Sequence, residues 1–284
     1  QVEPKYSATK LQTYVDCPKK FEEIYYLKNK NYPKLSGDIL VNEMGILEHE
    51  AIQYLTERNK MFIDRVELES ICKELLNRFI IKRELNISKI RHEICLNEIT
   101  TNVGNGLVFL SDLKKRYNNA VFEFEVDISS ENLVLGRIDL LVSLDNQLYI
   151  YDFKRSRGGI PSFAEITSNQ AVQLPFYSHS IIKVEKYADK ECFGMGYISL
   201  RDLEESIFIN RENAAIDSVN YGKIKSLSEE DFIDNERQFN SKLTDIIFEI
   251  NRSVESKYFS PRPRNNYSCL YCPANLFCDY EDES

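Results

Sequence analysis

Two apolar segments that each end in an aspartate constrain this chain more than any other feature. Asp139 follows one predicted strand core and Asp152 follows the other. A turn at Asp145-Asn146 would pair the two strands as a hairpin and bring the aspartates side by side. Since alternate residues of a strand share a face, Asp152 and Lys154 point the same way. Two carboxylates and a lysine at a strand end suit a hard divalent cation and its water. The segments are Leu133-Val134-Leu135-Gly136-Arg137-Ile138-Asp139 and Leu148-Tyr149-Ile150-Tyr151-Asp152-Phe153-Lys154.

An aspartate two residues before a lysine is usually part of a solvated polar face, so other features must favour chemistry. Lys154 leads into a basic loop that contains glycine, residues 155–159. The segment 166–184 is predicted to be one helix, in which Pro175 introduces a kink or a new turn. Helical spacing places three polar side chains on one stripe: Gln170, Gln173 and Tyr177. Together these features favour a functional site.

The order of three motifs, GRID at 136–139, YDFK at 151–154 and QLPFY at 173–177, resembles the RecB-type branch of the PD-(D/E)XK nuclease superfamily. In that family the two acids bind Mg²⁺ or Mn²⁺, and the lysine orients or activates the attacking water and stabilises charge on the phosphate. A glutamine and a tyrosine support the site and the DNA. The resemblance implies a catalytic set in this chain: Asp139, Asp152, Lys154, Gln173 and Tyr177, with the backbone carbonyl of Phe153 as a further metal ligand.

A helix predicted from Ile39 to about Arg58 carries Gly45 and His49. A lone histidine on a helix is more often structural than a ligand. The resembled family, however, places a metal-binding histidine on an early helix in a G-x-x-x-H-like setting. The resemblance therefore implies that His49 is a metal ligand or lies next to the ligands.

Residues 121–128 alternate between apolar and acidic side chains, which predicts a strand with one apolar face. Its apolar face would hold Phe122, Phe124, Val126 and Ile128. An edge strand with a wet side is the simple interpretation. In the resembled family an acid on this strand often joins the site, which would be Glu125 or Glu123 here. Arg155 and Arg157 are candidate DNA contacts, with a solvated loop as the alternative.

Seven cysteines, no signal-like N-terminus and uneven spacing argue against a disulfide framework. The tail has the pattern C-x2-C-x5-C, and three thiolates this close suit zinc or a cubane cluster with a fourth ligand. With a distant cysteine before a proline, the pattern resembles the cluster-bearing nucleases, such as the AddB nuclease domain and the CRISPR-associated adaptation nucleases. The resemblance implies a [4Fe–4S] cluster on four residues: Cys17, Cys269, Cys272 and Cys278. Cys72, Cys95 and Cys192 are expected to be packing residues.

Composition narrows the class of protein. A hydrophobic content of 43% and a charged content of 29% are typical of a globular protein, and no apolar run approaches the length of a membrane span. A net charge of −9 argues against a sequence-independent DNA coat but not against a metal nuclease. The absence of a signal-like N-terminus favours a cytoplasmic, nucleoid-associated protein without a membrane partner. Because the chain begins with Gln1 rather than methionine, we expect a module of a longer polypeptide or a processed chain.

These observations predict one α/β domain over 1–284, with a PD-(D/E)XK restriction-endonuclease-like core, a central mixed sheet flanked by helices and an iron–sulfur staple joining the termini. Its parts would be N-terminal helices with the first cluster cysteine (1–58), a helical insertion (59–119), the catalytic core (120–210), and a C-terminal helix with the cluster-binding tail (211–284). The insertion would bend or break at Asn102 to Gly106.

The expected activity is Mg²⁺- or Mn²⁺-dependent DNA hydrolysis, favouring exonuclease action on single-stranded ends. We expect this chain to be the nuclease module of a helicase–nuclease in DNA repair or recombination. A CRISPR-adaptation-type nuclease, an inactive DNA-end-binding module and a zinc-ribbon-like DNA reader are the alternatives.

Overall fold

The predicted hairpin is the centre of the molecule in a computed structural model. This structure describes residues 6–29, 39–129, 135–217, 219–269, 272–275, 277–278 and 280. Strands β2 (Arg137–Leu144) and β3 (Gln147–Lys154) are joined by the expected two-residue turn, in which Asp145 has a φ of 54°. Asp139 lies near the start of β2, not at the end of a strand, because the apolar run continues beyond it into β2. Leu133 and Val134 of the predicted strand lie outside the described residues.

The sheet is mixed, as predicted, and in the described part of the chain it contains six strands in the order β1 to β6. The other strands are β1 (Val121–Asp127), β4 (Glu191–Ser199), β5 (Ile207–Arg211) and β6 (Lys223–Leu227). Strand β3 pairs antiparallel with β2 and parallel with β4, so it occupies an interior position. Strand β6 was not predicted, because its sequence KIKSL has too few apolar side chains to show a strand pattern.

One face of the sheet is covered by helices from both ends of the chain. They are α1 (Ala8–Asp16), α2 (Pro18–Phe21), a π-helical turn (Glu22–Tyr26), α6 (Phe163–Thr167), α7 (Gln173–Ile181) and α8 (Glu229–Ser256). The short α9 (Asn266–Cys269) contacts α2, where Lys20 donates to the Ser268 carbonyl. The single helix predicted over 166–184 is wrong, since α6 and α7 are separate. Pro175 lies in the first turn of α7, where its missing N–H removes no helical hydrogen bond and no kink is needed.

The opposite face is covered by α3 (Val41–Glu57), α4 (Arg65–Lys82) and α5 (Lys89–Arg116). The predicted bend at Asn102 to Gly106 is wrong, because α5 is continuous there. A Cβ on Gly106 would lie 2.6 Å from Cδ1 of Ile52, so this glycine permits close packing of α5 against α3. The division of the chain into four parts stays a prediction.

An aromatic cluster holds the end of β3 against this helical layer. Tyr151 is 1% exposed, and its ring packs edge-on against Phe109 of α5 and Phe208 of β5, with centroid distances of 5.8 Å. Such aromatic pairs contribute about 0.5–1.5 kcal/mol beyond the area they bury. The cluster therefore fixes the strand immediately before Asp152.

No helix in the described ranges is long and apolar enough to cross a membrane.

Candidate active site

The site lies where β1, the start of β2 and the end of β3 meet, and Glu125 marks a change of face in β1. Phe122 and Phe124 pack against the core beneath α3 to α5, whereas Val126 and Ile128 belong to the opposite core. The single apolar face predicted for this strand is therefore wrong. Glu125 has a φ of 50°, a left-handed conformation that is uncommon for a residue with a side chain. Strained backbone of this kind clusters at functional sites.

Glu125, Asp139 and His49 form a compact group of donor atoms. One atom from each lies within 4.8 Å of the others, and no other set of three acidic, histidine or cysteine side chains does so in the described part of the chain. Carboxylate oxygens and an imidazole nitrogen are ligands that Mg²⁺ and Mn²⁺ accept. Of the two candidate acids on β1, Glu125 joins this group, while Glu123 binds Lys186 and Tyr187 instead.

The contacts of His49 indicate which of its nitrogens faces the acids. Its Nε2 donates a hydrogen bond to the Phe153 carbonyl at 3.1 Å, since a carbonyl can only accept. In the neutral ring, Nδ1 then presents a lone pair toward Asp139 Oδ2, 3.5 Å away. Two electron-rich atoms at this distance suit a shared cation. The residues present therefore fit a divalent metal.

Burial makes Asp139 a strong competitor for a positive charge. Burial in the strand end and the nearby negative charge of Asp152 raise the pKa of Asp139 well above its usual range. The backbone N–H of Phe153, which donates to Asp139 Oδ2 at 2.9 Å, and the ammonium of Lys154 act in the opposite direction. A cation bound here would offset the cost of ionising this carboxyl group.

Asp152 and Lys154 point to the same face, as predicted, and Gln173 joins them. Lys154 Nζ lies 2.6 Å from Asp152 Oδ2 and donates to Gln173 Oε1 at 2.9 Å. Gln173 Nε2 donates to Asp152 Oδ1 at 2.6 Å and to the Tyr177 hydroxyl at 3.2 Å. The contact with Lys154 lacks hydrogen-bonding geometry, so Asp152 Oδ2 is a buried oxygen without a hydrogen-bond partner among the described residues.

Tyr177 and Tyr197 complete this side of the site. Burial raises the pKa of Tyr177 above its usual range, which keeps the phenol neutral. The ring of Tyr197, on β4, lies 5.4 Å from Lys154 Nζ and is almost fully buried. Tyr197 was not among the predicted site residues, because nothing in the apolar run of β4 distinguishes its ring from a packing residue.

Comparison with known proteins decides the family. The model of the PD-(D/E)XK nuclease superfamily matches residues 5–279. The chain belongs to the PD-(D/E)XK nuclease superfamily. No curated protein matches it significantly. Eight chains of solved structures match. One is the crystal structure of SSO0001, with 16% identity over 95% of this chain and 96% of that chain and a TM-score of 0.29. A TM-score this low does not establish a shared fold.

Other predicted site residues lie at different places in this PD-(D/E)XK domain. The Arg155 side chain is 12% exposed, and its guanidinium lies between Glu48 and Glu98, whereas Arg157 is exposed and donates to the Ile160 carbonyl. Gln170 is exposed and precedes α7, so it is not on the stripe expected with Gln173 and Tyr177. DNA contacts by Arg155 and Arg157 stay predictions.

The C-terminal tail of the PD-(D/E)XK domain docks on the N-terminal helices. Cys17 is buried where α1 ends and α2 begins, and Pro18 is the first residue of α2. The backbone N–H of Arg264 donates to the Asp16 carbonyl at 2.8 Å, and Lys20 Nζ donates to the Ser268 carbonyl at 3.1 Å. These contacts bring the tail to the turn that holds Cys17.

The four predicted cluster cysteines influence neighbouring charges around this turn. Burial raises the pKa of Cys272, and the nearby Cys17 and Cys269 add to that effect. Cys278 contributes to the raised pKa of Lys19, whose main cause is a hydrogen bond from its ammonium to Glu22. The remaining cysteines are buried in the two cores: Cys72, Cys95 and Cys192.

Proposed function

We propose that this protein is a divalent-metal-dependent nuclease that hydrolyses phosphodiester bonds of DNA. The observation that carries the proposal is the convergence of Glu125, Asp139 and His49 within 4.8 Å, at the strand end that also holds Lys154. Members of the PD-(D/E)XK superfamily are usually metal-dependent nucleases. The group is half-buried, and two partly desolvated carboxylates this close together are costly without a positive charge, which supports a bound ion.

Asp139, Glu125 and Nδ1 of His49 would hold the ion. The Phe153 carbonyl accepts from Nε2, on the opposite side of the imidazole from Nδ1, so it would hold the histidine, and its role as a metal ligand stays a prediction. Asp152, predicted as a further ligand, lies outside this group of three and pairs with Lys154, so its buried Oδ2 would join the ion only after a shift of the side chain. When bound, Mg²⁺ or Mn²⁺ would polarise the phosphate and lower the pKa of an attacking water. The imidazole, held by the Phe153 carbonyl, keeps one orientation throughout.

Lys154 supplies the positive charge that meets the phosphate. Its side chain is 25% exposed, so its ammonium reaches solvent while Gln173 and Asp152 hold it in place. In this position it can bind a phosphate oxygen and stabilise the extra negative charge of the transition state. Gln173 keeps Lys154 and Asp152 at a fixed separation, because its amide group donates to one and accepts from the other.

Nuclease assays with Mg²⁺ or Mn²⁺ test the proposal on end-labelled DNA. Asp152→Asn and Lys154→Ala should each lower cleavage by at least about 100-fold, a typical loss for a group that stabilises transition-state charge. Asp234→Asn is the matched control, since Asp234 is exposed on α8 and pairs with Arg237. Equal cleavage by all four proteins would remove the enzyme hypothesis and leave an inactive DNA-end-binding module.

We also infer a RecB-type exonuclease that acts on single-stranded ends as the nuclease module of a helicase–nuclease. A groove opens at Lys154 and Gln173 and is bounded by α1. Arg264 also lines it and pairs with Asp16 and Glu165, and the positive charges of Lys154 and Arg264 would contact the phosphates of a single strand. Cleavage of linear and circular single-stranded DNA distinguishes an exonuclease from an endonuclease. If circles are cleaved as fast as linear strands, the protein is an endonuclease. A CRISPR-adaptation-type nuclease is then the better candidate.

A [4Fe–4S] cluster on Cys17, Cys269, Cys272 and Cys278 is the second part of the proposal. Four thiolates on one zinc ion at about 2.3 Å would lie within about 4 Å of each other. No three cysteine sulfurs are that close in the described part of the chain, whereas a cubane binds each cysteine through a different iron. Iron and acid-labile sulfide in anaerobically purified protein support the cluster; stoichiometric zinc without iron supports a zinc-ribbon-like tail.

A further inference from the structure

A buried ionic network lies beside the candidate site and connects three elements. The Glu48 carboxylate on α3 is fully buried and accepts from Nε of Arg155 at 2.9 and 3.1 Å. It also accepts from Nδ2 of Asn102, on α5, at 2.8 Å. The second arm of Arg155 donates from Nη2 to Glu98, also on α5, at 3.0 Å. Every described hydrogen bond of the Arg155 side chain is therefore to a carboxylate of a flanking helix.

Each central partner is the chain neighbour of a proposed site residue. Glu48 precedes His49 on α3, and Arg155 follows Lys154 at the end of β3. The backbone N–H of Leu200 donates to the Lys154 carbonyl at 2.8 Å, and that of Arg201 donates to the Arg155 carbonyl. These two bonds continue the hydrogen-bond ladder between β3 and β4. The backbone on the strand side is thus rigid. A displacement of α3 would move His49 relative to Lys154 unless the Glu48–Arg155 pair held it.

Stability alone does not account for such a pair. Removing two charges from water is costly, and packed apolar residues in their place are often no less stable. The stem of Arg155 also runs over Gly45, one turn before Glu48, so the pair occupies a close approach of strand and helix. Directional, charge-assisted hydrogen bonds fix distance and angle in a way that apolar packing does not.

We propose that Arg155 and Glu48 are positioning residues that fix α3 against the end of β3, so that His49 and Lys154 keep their separation across the site. The inference rests on the proposed function and gives Arg155 a role other than the DNA contact expected from sequence. Removal of the pair should weaken metal binding and turnover together, although neither side chain belongs to the catalytic set.

The test compares Arg155→Met with Arg211→Met. Arg211 is 14% exposed and also pairs with two carboxylates, those of Glu191 and Glu229, on strand β4 and helix α8. Mn²⁺ affinity is measured by calorimetry without DNA, and kcat and KM with DNA. Arg155→Met should weaken Mn²⁺ binding and lower kcat by about 10–100-fold, the usual effect of losing support for a ligand. Arg211→Met should leave both within about twofold.

Coupling distinguishes positioning from other roles. In a His49→Ala background, Arg155→Met should weaken Mn²⁺ binding by less than about threefold, because the ligand that it positions is gone. Unchanged Mn²⁺ affinity with weaker, less salt-dependent DNA binding would overturn the inference and make Arg155 a phosphate contact. Equal effects of Arg155→Met and Arg211→Met on Mn²⁺ affinity and kcat would also overturn the inference, because Arg155 would then contribute only to packing.

Two further variants keep the test decisive if Arg155→Met does not fold. Arg155→Lys keeps the charge but cannot reach both acids through a planar fork, and Asn102→Ala removes one hydrogen bond from Glu48. Each substitution should lower the Mn²⁺ affinity severalfold. If neither variant loses affinity, the inference is wrong. A parent that binds Mn²⁺ without cleaving DNA refutes the proposed function alone. A parent that binds no Mn²⁺ refutes both.

Discussion

Replacing Gln173 with leucine tests the hydrogen-bonded core of the site. The Gln173 amide accepts from Lys154 at 2.9 Å and donates to Asp152 at 2.6 Å. Leucine has a similar volume but can do neither. Asp152, which is 2% exposed, would lose its only described hydrogen bond and depend on the ion pair with Lys154.

The structure gives the expected size of this effect. A hydrogen bond to a charged group contributes about 1.5–3 kcal/mol, and a buried charged group left unsatisfied costs at least that much. Water can replace the bond to Lys154, which is 25% exposed, so that part is worth less. We expect the free energy of unfolding to fall by about 2–4 kcal/mol. With Lys154 held by Asp152 alone, kcat should fall by about 10–100-fold.

The matched control is Gln170→Leu, the same chemical change three residues earlier. Gln170 is exposed, and its described hydrogen bonds are made by its backbone N–H and carbonyl. Its substitution should change stability by less than about 0.5 kcal/mol and leave kcat unaltered. Urea unfolding and single-turnover cleavage of labelled DNA measure the two quantities. If Gln173→Leu and Gln170→Leu are indistinguishable in both assays, the hydrogen bonds of Gln173 to Lys154 and Asp152 do not hold the site together.

Three more predictions concern other parts of the molecule. Glu125→Gln should weaken Mn²⁺ binding by about tenfold or more while Glu123→Gln leaves it unchanged, as measured by calorimetry; equal effects would contradict the choice of acid. Cys17→Ser should abolish iron binding while Cys192→Ser retains it, and iron content of anaerobic preparations decides. Burial and the charge of Lys183 lower the pKa of His179 to about 4, below its ordinary value of 6.5. As the pH drops, His179 therefore binds a proton in the unfolded chain before it does so in the folded one. The free energy of unfolding should fall as the pH drops from about 6.5 to 4. The urea midpoint of His179→Gln should fall less over that range, and parallel curves would refute this.

Local sequence was enough to predict the hairpin and the arrangement of its polar ends. The turn at Asp145-Asn146 fixes the register, and the register brings the start of β2 beside the end of β3. The relation of Asp152 to Lys154 follows from strand alternation alone. The partners of these residues on α3 and α7 depend on packing across the sheet, which strand alternation does not specify.

Glu48 carries a signal in the sequence from which a buried ion pair could have been predicted. It lies on the buried face of α3 with Met44, Leu47 and Ala51, where a carboxylate is expected only if it is paired. A charged residue within an apolar stripe therefore predicts a partner, but it does not say which one. Arg155 was instead interpreted as a DNA contact, because its neighbours in sequence form a basic, glycine-bearing loop. The burial of that guanidinium is a property of the tertiary structure.

The choice between Glu123 and Glu125 depended on a backbone conformation that no periodicity reveals. Uninterrupted alternation would place both acids on one face, and sequence could not separate them. In the structure β1 changes face at Glu125, because the apolar residues before and after it must serve different cores. A left-handed glutamate costs about 1–3 kcal/mol and persists only where surrounding contacts over-determine it. Glu125→Gly should therefore relieve strain and raise stability, or leave it unchanged, while abolishing the metal ligand. A large loss of stability in this variant would mean that the glutamate side chain, and not the packing of the two cores, holds the strand in this conformation.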